Sequence, residues 1–492
     1  MKSAKDIIRT FICIIFVLSF GLFAMGWCWF DEHKFITDIY LPAGQWNDEV
    51  FYYKQISAMI KYGIPQGYFG YNEMTASHLT FGAWSFILLI PYCIWGMMFG
   101  WNIQMPVICN LIFVTIALGI FLYLVRPNTK QILIWLVIIA SMPIITRYII
   151  SGMVESVFFS AIILFVGVQI RLEKQYNRLL LAILYLLVGF LSLARPYMII
   201  FMIVPFYILY KRNKWFASVF TLIYCIITMI SYGYINTYLC APYTSSIINT
   251  EVFDVLCKEG WMSMVVYVLK NFIEGLRQLG VLMCDALRYG GIGETYVVFC
   301  VLLIFLFVSL ICEKGKERAI WFSIIALCII ISAVILFYSI NAGSRHLLMF
   351  LIYGAMILIF KSSFPNLVTL SIVLWSVCLL IPKDEYIYDI PYNTDSILVN
   401  QNQKIEQELN NSLIIENKER WSNTIDWIYN EDYSICYFVP DGFGINICFE
   451  NQITDEIQAK YILVKNETAI QKKYENYYYM QWKGDNYTLY CR

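Results

Sequence analysis

Over most of this chain the apolar positions do not alternate or recur every third or fourth residue; they run on in long blocks separated by short polar knots. A block of about 20 apolar residues is what a helix needs to cross the hydrocarbon core of a bilayer. Blocks of this kind lie near 7–30, 81–100, 105–125, 131–146, 150–170, 178–194, 197–210, 215–238, 296–312, 319–339, 346–360 and 366–381. Beyond 382 the pattern changes to one rich in Asn, Tyr, Glu and Lys. There a helix-like stretch, Asn402–Tyr429, precedes strand-like runs at Tyr433–Val439, Gly444–Phe449, Tyr461–Val464 and Tyr477–Trp482. The last is joined to Tyr487–Tyr490 across the turn signal Lys483-Gly484-Asp485-Asn486. The pattern predicts an all-α polytopic membrane domain over 1–382 and a small α/β domain over 383–492.

Orientation follows from the polar knots. The connections Arg126–Lys130, Arg171–Arg178, Lys211–Lys214 and Lys314–Arg318 are dense in Lys and Arg, which places them in the cytoplasm with the N-terminus. Parity then requires that one early block fails to cross. The block 81–100, broken by Pro91, Gly96 and Gly100, is the weakest and is expected to form a juxtamembrane or re-entrant helix. About eleven crossings remain. The first block follows Lys2, Lys5 and Arg9 and is too long for a signal-peptide core, so it reads as a retained span. The outer face receives a first loop, 31–104, a second loop, 240–295, the turns around Arg147–Glu155, Arg195-Pro196 and Asn341–His346, and the whole of 383–492. The cytoplasmic loops are too short to build a site, so any chemistry is expected outside the cytoplasm, in a multi-pass cell-membrane protein.

Composition agrees with the pattern. Hydrophobic residues make up 60% and charged residues 14% of the 492 positions, against about a half and a quarter in soluble domains. A formal net charge of zero gives no electrostatic reason for a nucleic-acid partner. Most of the 15 cysteines, Cys13, Cys109, Cys225 and Cys328 among them, sit inside apolar blocks as small hydrophobes, and none has zinc-site spacing. Cys436 and Cys448 flank a predicted hairpin, where a disulfide and two unpaired core thiols both fit.

Five places carry candidate chemistry. In Gly44-Gln45-Trp46-Asn47-Asp48-Glu49-Val50-Phe51-Tyr52-Tyr53 an acidic pair stands among aromatics soon after the first span. A partly desolvated carboxylate there gains basicity and suits proton abstraction from a hydroxyl; the plainer reading is a solvated loop charge. Tyr52 beside it is a candidate substrate contact. Glu155 opens an apolar block, where an ionisable group is expensive and marks function, or else serves the helix macrodipole. Arg195-Pro196 joins two short blocks, as a substrate contact or as an interfacial Arg that snorkels to water. Arg345 and His346, in Asn341-Ala342-Gly343-Ser344-Arg345-His346, lie at the mouth of a late span. A guanidinium there matches a phosphate bidentately, with Gly and Ser letting backbone approach a ligand; an unpaired interfacial cation is the alternative. His78, the one His between the acidic pair and the 81–100 block, is either structural or a substrate contact.

The acidic pair after the first span, the block ending in Phe99-Gly100-Trp101, the second acid at Glu155 and the late Ser344-Arg345-His346 together resemble the C-type (GT-C fold) membrane glycosyltransferases. That class contains the protein O-mannosyltransferases and aminoarabinose transferases, and the resemblance covers roughly 7–382 in order and spacing more than in identity. It implies a polyprenyl-phosphate sugar donor and a glycan, lipid or protein acceptor. It further implies Asp48 as the base with Glu49 following it, Glu155 as the second outer acid, Arg345 near the donor phosphate, and inversion at the anomeric carbon. The His-Pro-Pro-like stretch of relatives is here Ser77-His78-Leu79-Thr80, and no Asp-x-Asp lies on the outer face of the membrane part, so neither a metal nor another cofactor is expected. A transporter or lipid flippase is a rival, but no internal repeats or paired broken helices are evident. A polysaccharide polymerase or ligase is another, set apart by Asp48-Glu49 in place of loop arginines. Topology reporters fused at Lys130 and Asn430 should report cytoplasmic and extracytoplasmic locations respectively; a cytoplasmic signal from Asn430 would overturn the orientation.

Overall fold

The structure, a computed structural model, describes residues 4–32, 47–63, 69–71, 86–239, 251–291, 293–338, 340–362, scattered positions between 373 and 381, 407–409, 411–413, 424–428, 433–449, 460–475 and 478–492. The membrane part is helical. Its elements are α1 (Ala4–Glu32), α2 (Asn47–Tyr62), the short strand β1 (Phe69–Tyr71), a 3-10 turn running into α3 (Ile90–Phe99), α4 (Met105–Val125), α5 (Thr129–Ala140) and α6 (Pro143–Thr146). There follow α7 (Glu155–Lys174), α8 (Arg178–Ala194), a 3-10 segment leading into α9 (Ile203–Tyr210), α10 (Lys214–Tyr238), α11 (Glu251–Glu259), α12 (Trp261–Tyr289), α13 (Gly293–Cys312), α14 (Arg318–Phe337) and α15 (Ile340–Lys361).

Among the described residues, 7 helices are long and apolar enough to cross a membrane, within α1, α4, α7, α10, α13, α14 and α15. The chain over 129–150 adds an eighth if its two pieces, bent by 79°, count as one broken span. The apolar helices over 86–99, 178–194 and 196–210 are shorter, and the block expected at 366–381 falls mostly outside the described residues. The described part of the segment 240–295 is largely helical, since it contains α11 and α12.

Each helix that starts at a basic knot has a cap written beside the charge. Asn128, Asn177 and Asn213 accept hydrogen bonds from the first-turn N–H groups of α5, α8 and α10, and Asn128 completes a capping box with Gln131. Such caps contribute about 1 kcal/mol apiece and fix where each helix begins. The basic knots also meet in space. Lys361 at the end of α15 pairs with Glu173 at 2.8 Å and Glu317 at 3.4 Å. Gln131 donates to the Ile359 carbonyl, Lys174 to the Val125 carbonyl, and Arg212 lies over the Tyr176 ring. All four basic connections therefore share one end of the bundle. The last turns of α1 lie at the other end, where Trp27 Nε1 donates to the Ala140 carbonyl at 2.8 Å. Helices α7 and α15 form the centre, each buried along most of its length, and Phe16, Phe121, Trp135 and Phe360 interlock beside them.

The C-terminal part is an α/β sheet built from β2 (Thr424–Ile428), β3 (Gly444–Cys448), β4 (Tyr461–Lys465), the helix α16 (Ala469–Tyr474), β5 (Tyr479–Lys483) and β6 (Tyr487–Cys491). The strand order is β1-β3-β2-β4-β6-β5, so the edge strand β1 comes from the segment between α2 and α3 and pairs parallel with β3. Strands β2, β3 and β4 are parallel; β4, β6 and β5 are antiparallel, with the hairpin expected at 483–486. Several expectations change. Within the stretch read as helical, 424–428 is a strand, because Ile425 and Trp427 alternate into the core. Tyr433–Phe438 is a 3-10 helix, its apolar run being buried on every side and so without a period that marks a strand. Cys436 and Cys448 are both buried. Tyr479, on the edge strand, is exposed.

The loop Pro440–Gly444 is more than a turn, because it docks on α2. Lys54 pairs with Asp441 at 3.1 Å and also donates to the carbonyls of Val439 and Tyr437. Ser57 donates to Asp441 Oδ2 at 2.7 Å and the Tyr62 hydroxyl donates to the Asp441 carbonyl at 3.1 Å. Val50 and Phe51 of α2 sit in one apolar cluster with Trp427, Phe443 and Ile445. Truncating Asp441 to Ala leaves a largely buried ammonium without its carboxylate, a change that costs about 3–5 kcal/mol. Asp441→Ala is expected to lower the melting temperature and to speed proteolytic release of the C-terminal part; unchanged melting and digestion would show that this contact does not hold the two parts together.

Candidate functional site

The site is built on a buried amide. Asn110, in the second turn of apolar α4, has its Nδ2 within 2.9–3.3 Å of the Ser151, Met153 and Tyr148 carbonyl oxygens, and its Oδ1 accepts from the Tyr92 hydroxyl. One side chain thereby ties α3 and α4 to the turn between α6 and α7. That turn in turn offers the Gly152 N–H, which donates to Glu49 Oε1 at 2.8 Å. Glu49 is buried and anchors the first turn of α2 to the bundle.

With α2 held in this way, its neighbour Asp48 faces the start of α15. Asp48 Oδ2 accepts from Arg345 Nη1 at 2.5 Å, and the two side chains keep 30% and 23% of their surface exposed. Beside them, Arg195 Nη2 donates to Glu155 Oε1 at 2.8 Å, and both of these side chains are wholly buried. The Arg195 guanidinium also lies 4.4 Å from the centre of the Phe158 ring. Arg195 Nη1 reaches the Tyr197 hydroxyl at 3.4 Å, which is hydrogen-bonded to His346 Nδ1 at 2.7 Å. The Tyr338 ring stands edge-on to His346. Tyr52, one turn along α2 from Asp48, is within electrostatic reach of both ion pairs. Burial pushes its hydroxyl well above the ordinary tyrosine range, Asp48 adds to this, and Arg345 opposes it, so Tyr52 stays a protonated O–H donor.

Seven residues expected from the sequence therefore meet at one end of the bundle: Asp48, Glu49, Tyr52, Glu155, Arg195, Arg345 and His346. His78 lies outside the described residues. Three readings are corrected. Arg195 does not snorkel to water, because Glu155 and the Phe158 face hold it inside. Arg345 is not an unpaired cation, and 341–346 is the opening of α15, not a turn. Gly343 serves packing: a Cβ there would come within 2.5 Å of Val334 Cγ1, so the glycine lets α15 close on α14. Sequence reasoning missed Asn110 and Tyr197. The first was signalled by a lone amide in an apolar span; the second carried no signal. Among the described residues, no group of three or more His, Cys, Asp or Glu side chains is arranged to hold a metal ion.

No protein-family model matches the chain, and no curated protein matches it. Among solved structures, the chain is similar to the crystal structure of ArnT from Cupriavidus metallidurans bound to undecaprenyl phosphate. The TM-score is 0.44 at 9% identity, over 99% of this chain and 98% of that one. It is also similar to the same protein in the apo state, with a TM-score of 0.40 at 8% identity over 90% and 92% of the two chains.

The wholly buried pair gives a direct test of what holds the site. Arg195→Met strands the Glu155 carboxylate and is expected to cost about 3–5 kcal/mol, whereas Glu155→Gln with Arg195→Met removes both charges and should recover most of that loss. Thermal melting of the purified variants reads the difference; equal melting of single and double variants would mean that the pair is not coupled.

Proposed function

We propose that this chain is a multi-pass membrane glycosyltransferase that moves a sugar from a polyprenyl-phosphate donor to an acceptor hydroxyl on the extracytoplasmic side. The observation that carries the reading is the partly exposed ion pair between Asp48 and Arg345, residues 297 positions apart, at the bundle end opposite the basic connections. The neighbouring pair Glu155–Arg195 is sealed from solvent and suits a structural role, whereas the Asp48–Arg345 pair retains surface through which a ligand can enter. The same residues carry the resemblance to C-type glycosyltransferases.

The chemistry follows from exchanging partners in that pair. A guanidinium bound to a carboxylate can trade it for a phosphate, which it also engages through parallel N–H bonds. Donor arrival at Arg345 then releases Asp48, which takes the proton of the acceptor hydroxyl as that oxygen attacks the anomeric carbon. The bond from the anomeric carbon to the phosphate oxygen breaks, the lipid phosphate leaves with its charge against Arg345, and one direct displacement inverts the carbon. Glu49 contributes by anchoring α2, and Tyr52 by donating its hydroxyl toward bound oxygen. In this reading the N-terminus and basic connections are cytoplasmic. Residues 1–382 carry the transfer site, and 383–492 form an extracytoplasmic domain docked beside it.

The test is transfer by the purified protein in nanodiscs from a panel of polyprenyl-phosphate sugars. Asp48→Asn should lower turnover by about 10² or more while donor binding persists. Arg345→Ala should weaken donor binding by roughly ten- to a hundredfold, as expected for a lost charge-assisted contact. Full turnover in the first variant, or unchanged donor affinity in the second, would overturn the assignment of that residue.

A further inference from the structure

Helix α12 has three faces, and they divide by chemistry. Toward the bundle it presents Phe272, Leu279, Leu282 and Ala286, with Gly275 seated against Ile335 and Leu282 against Gly293. A second stripe, Met262, Val266, Leu269, Ile273, Leu276 and Leu287, recurs at helical spacing and is exposed, Val266 by 64% and Ile273 by 67%. The third face carries Lys270, Glu274, Arg277, Asp285 and Arg288, all exposed. At 3.6 residues per turn the three stripes are centred roughly 120° apart.

The place of this helix is fixed by its contacts. Ile335 lies near the last turn of α14, which begins at a basic knot, and Gly293 opens α13, which ends at one. Both belong to the end of the bundle that holds the Asp48–Arg345 pair. Tyr296, one turn into α13, donates to the Ile340 carbonyl at 2.5 Å, and Ile340 opens the helix that carries Arg345. Although 29 residues long, α12 is not among the helices apolar enough to cross a membrane. An apolar stripe in water and a charged stripe in hydrocarbon are both unfavourable, and only the boundary between the two media accommodates each face at once.

We propose that α12 lies in the plane of the membrane at the site end of the bundle, with its Met262–Leu276 stripe sunk into the acyl boundary and its charged stripe in water. The partner of this surface is the lipid bilayer. Ile304, Phe307 and Ile311 of α13 and Ile329 of α14, the two helices on which α12 packs, are likewise apolar and exposed. The charged face mixes Lys270, Arg277 and Arg288 with Glu274 and Asp285, so the helix is held by insertion and makes no demand for anionic lipid. A helix seated in this way sets the height of the bundle. Arg345 lies one to two turns beyond Ile340 along α15, roughly 7.5 Å at 1.5 Å per residue, close to the headgroup layer in which a lipid-linked phosphate sits. That last consequence rests on the transferase reading; the seating of α12 does not.

The experiment uses the full chain in phosphatidylcholine vesicles with p-benzoylphenylalanine in place of Leu269 or, separately, Gln278. After irradiation, lipid adducts should be about tenfold or more abundant from position 269 than from 278. Adducts from 269 to protein instead of lipid, or equal lipid yields at both positions, would overturn the proposal. Nitroxide labels at Ile273 and Glu274 supply a second measurement that does not involve activity. Oxygen should relax the first more strongly and a water-soluble nickel chelate the second, and the same collision profile at both would count against an in-plane helix.

Discussion

An ionic group inside an apolar bundle must be neutralised where it stands, and this constraint organises the end of the molecule where the candidate site lies. Glu155 and Arg195 satisfy it completely, each removed from water and each the other's counter-charge. Asp48 and Arg345 satisfy it while remaining partly open. The difference separates a pair that fixes geometry from a pair that can exchange one member for an incoming anion. Arg195 also reaches through Tyr197 to His346, so the sealed pair braces the helix turn that presents Arg345.

The large features of the fold are legible in the residues themselves. Long apolar blocks mark the bundle, and each basic knot followed by Asn marks both a shared end and a helix start, as Arg126-Pro127-Asn128, Asn177-Arg178 and Asn213-Lys214 illustrate. The candidate site is legible as a set of residue types but not as a set of partners. Pairing between Asp48 and Arg345 spans 297 positions, and no local period encodes a contact of that range. Asp48 and Glu49 look equivalent in sequence, yet adjacent residues on a helix point about 100° apart. One therefore meets a guanidinium and the other a backbone N–H. Asn110 stands out in its apolar span as a residue type, but its partners do not, since they are three carbonyl groups about forty positions away.

In the C-terminal part, local pattern failed where tertiary context decides. Thr424–Ile428 has the alternation of a strand but only five residues of it, embedded in polar sequence that reads as helix. The strand β1 is shorter still and exists because β3 offers it an edge. Its pairing joins the segment between α2 and α3 to the last part of the chain, so the division at 382 is a boundary in composition and not in the folded sheet.

Helix α2 belongs to two cores at once: Val50 and Phe51 pack with the sheet, while Ile56 packs with the bundle. This gives the molecule a chronology. The segment that carries Asp48 leaves the ribosome early, but the Asp441 carboxylate that receives Ser57 and Lys54 is synthesised 384 and 387 positions later. At typical elongation rates of about 5–20 residues per second, the two are separated by roughly 20–80 s. During that interval α2 has one of its two walls and a lysine with no carboxylate to meet. The oldest piece of the site is thus the last to settle, and a chain that stops short of the sheet is left with an unfinished beginning as well as a missing end.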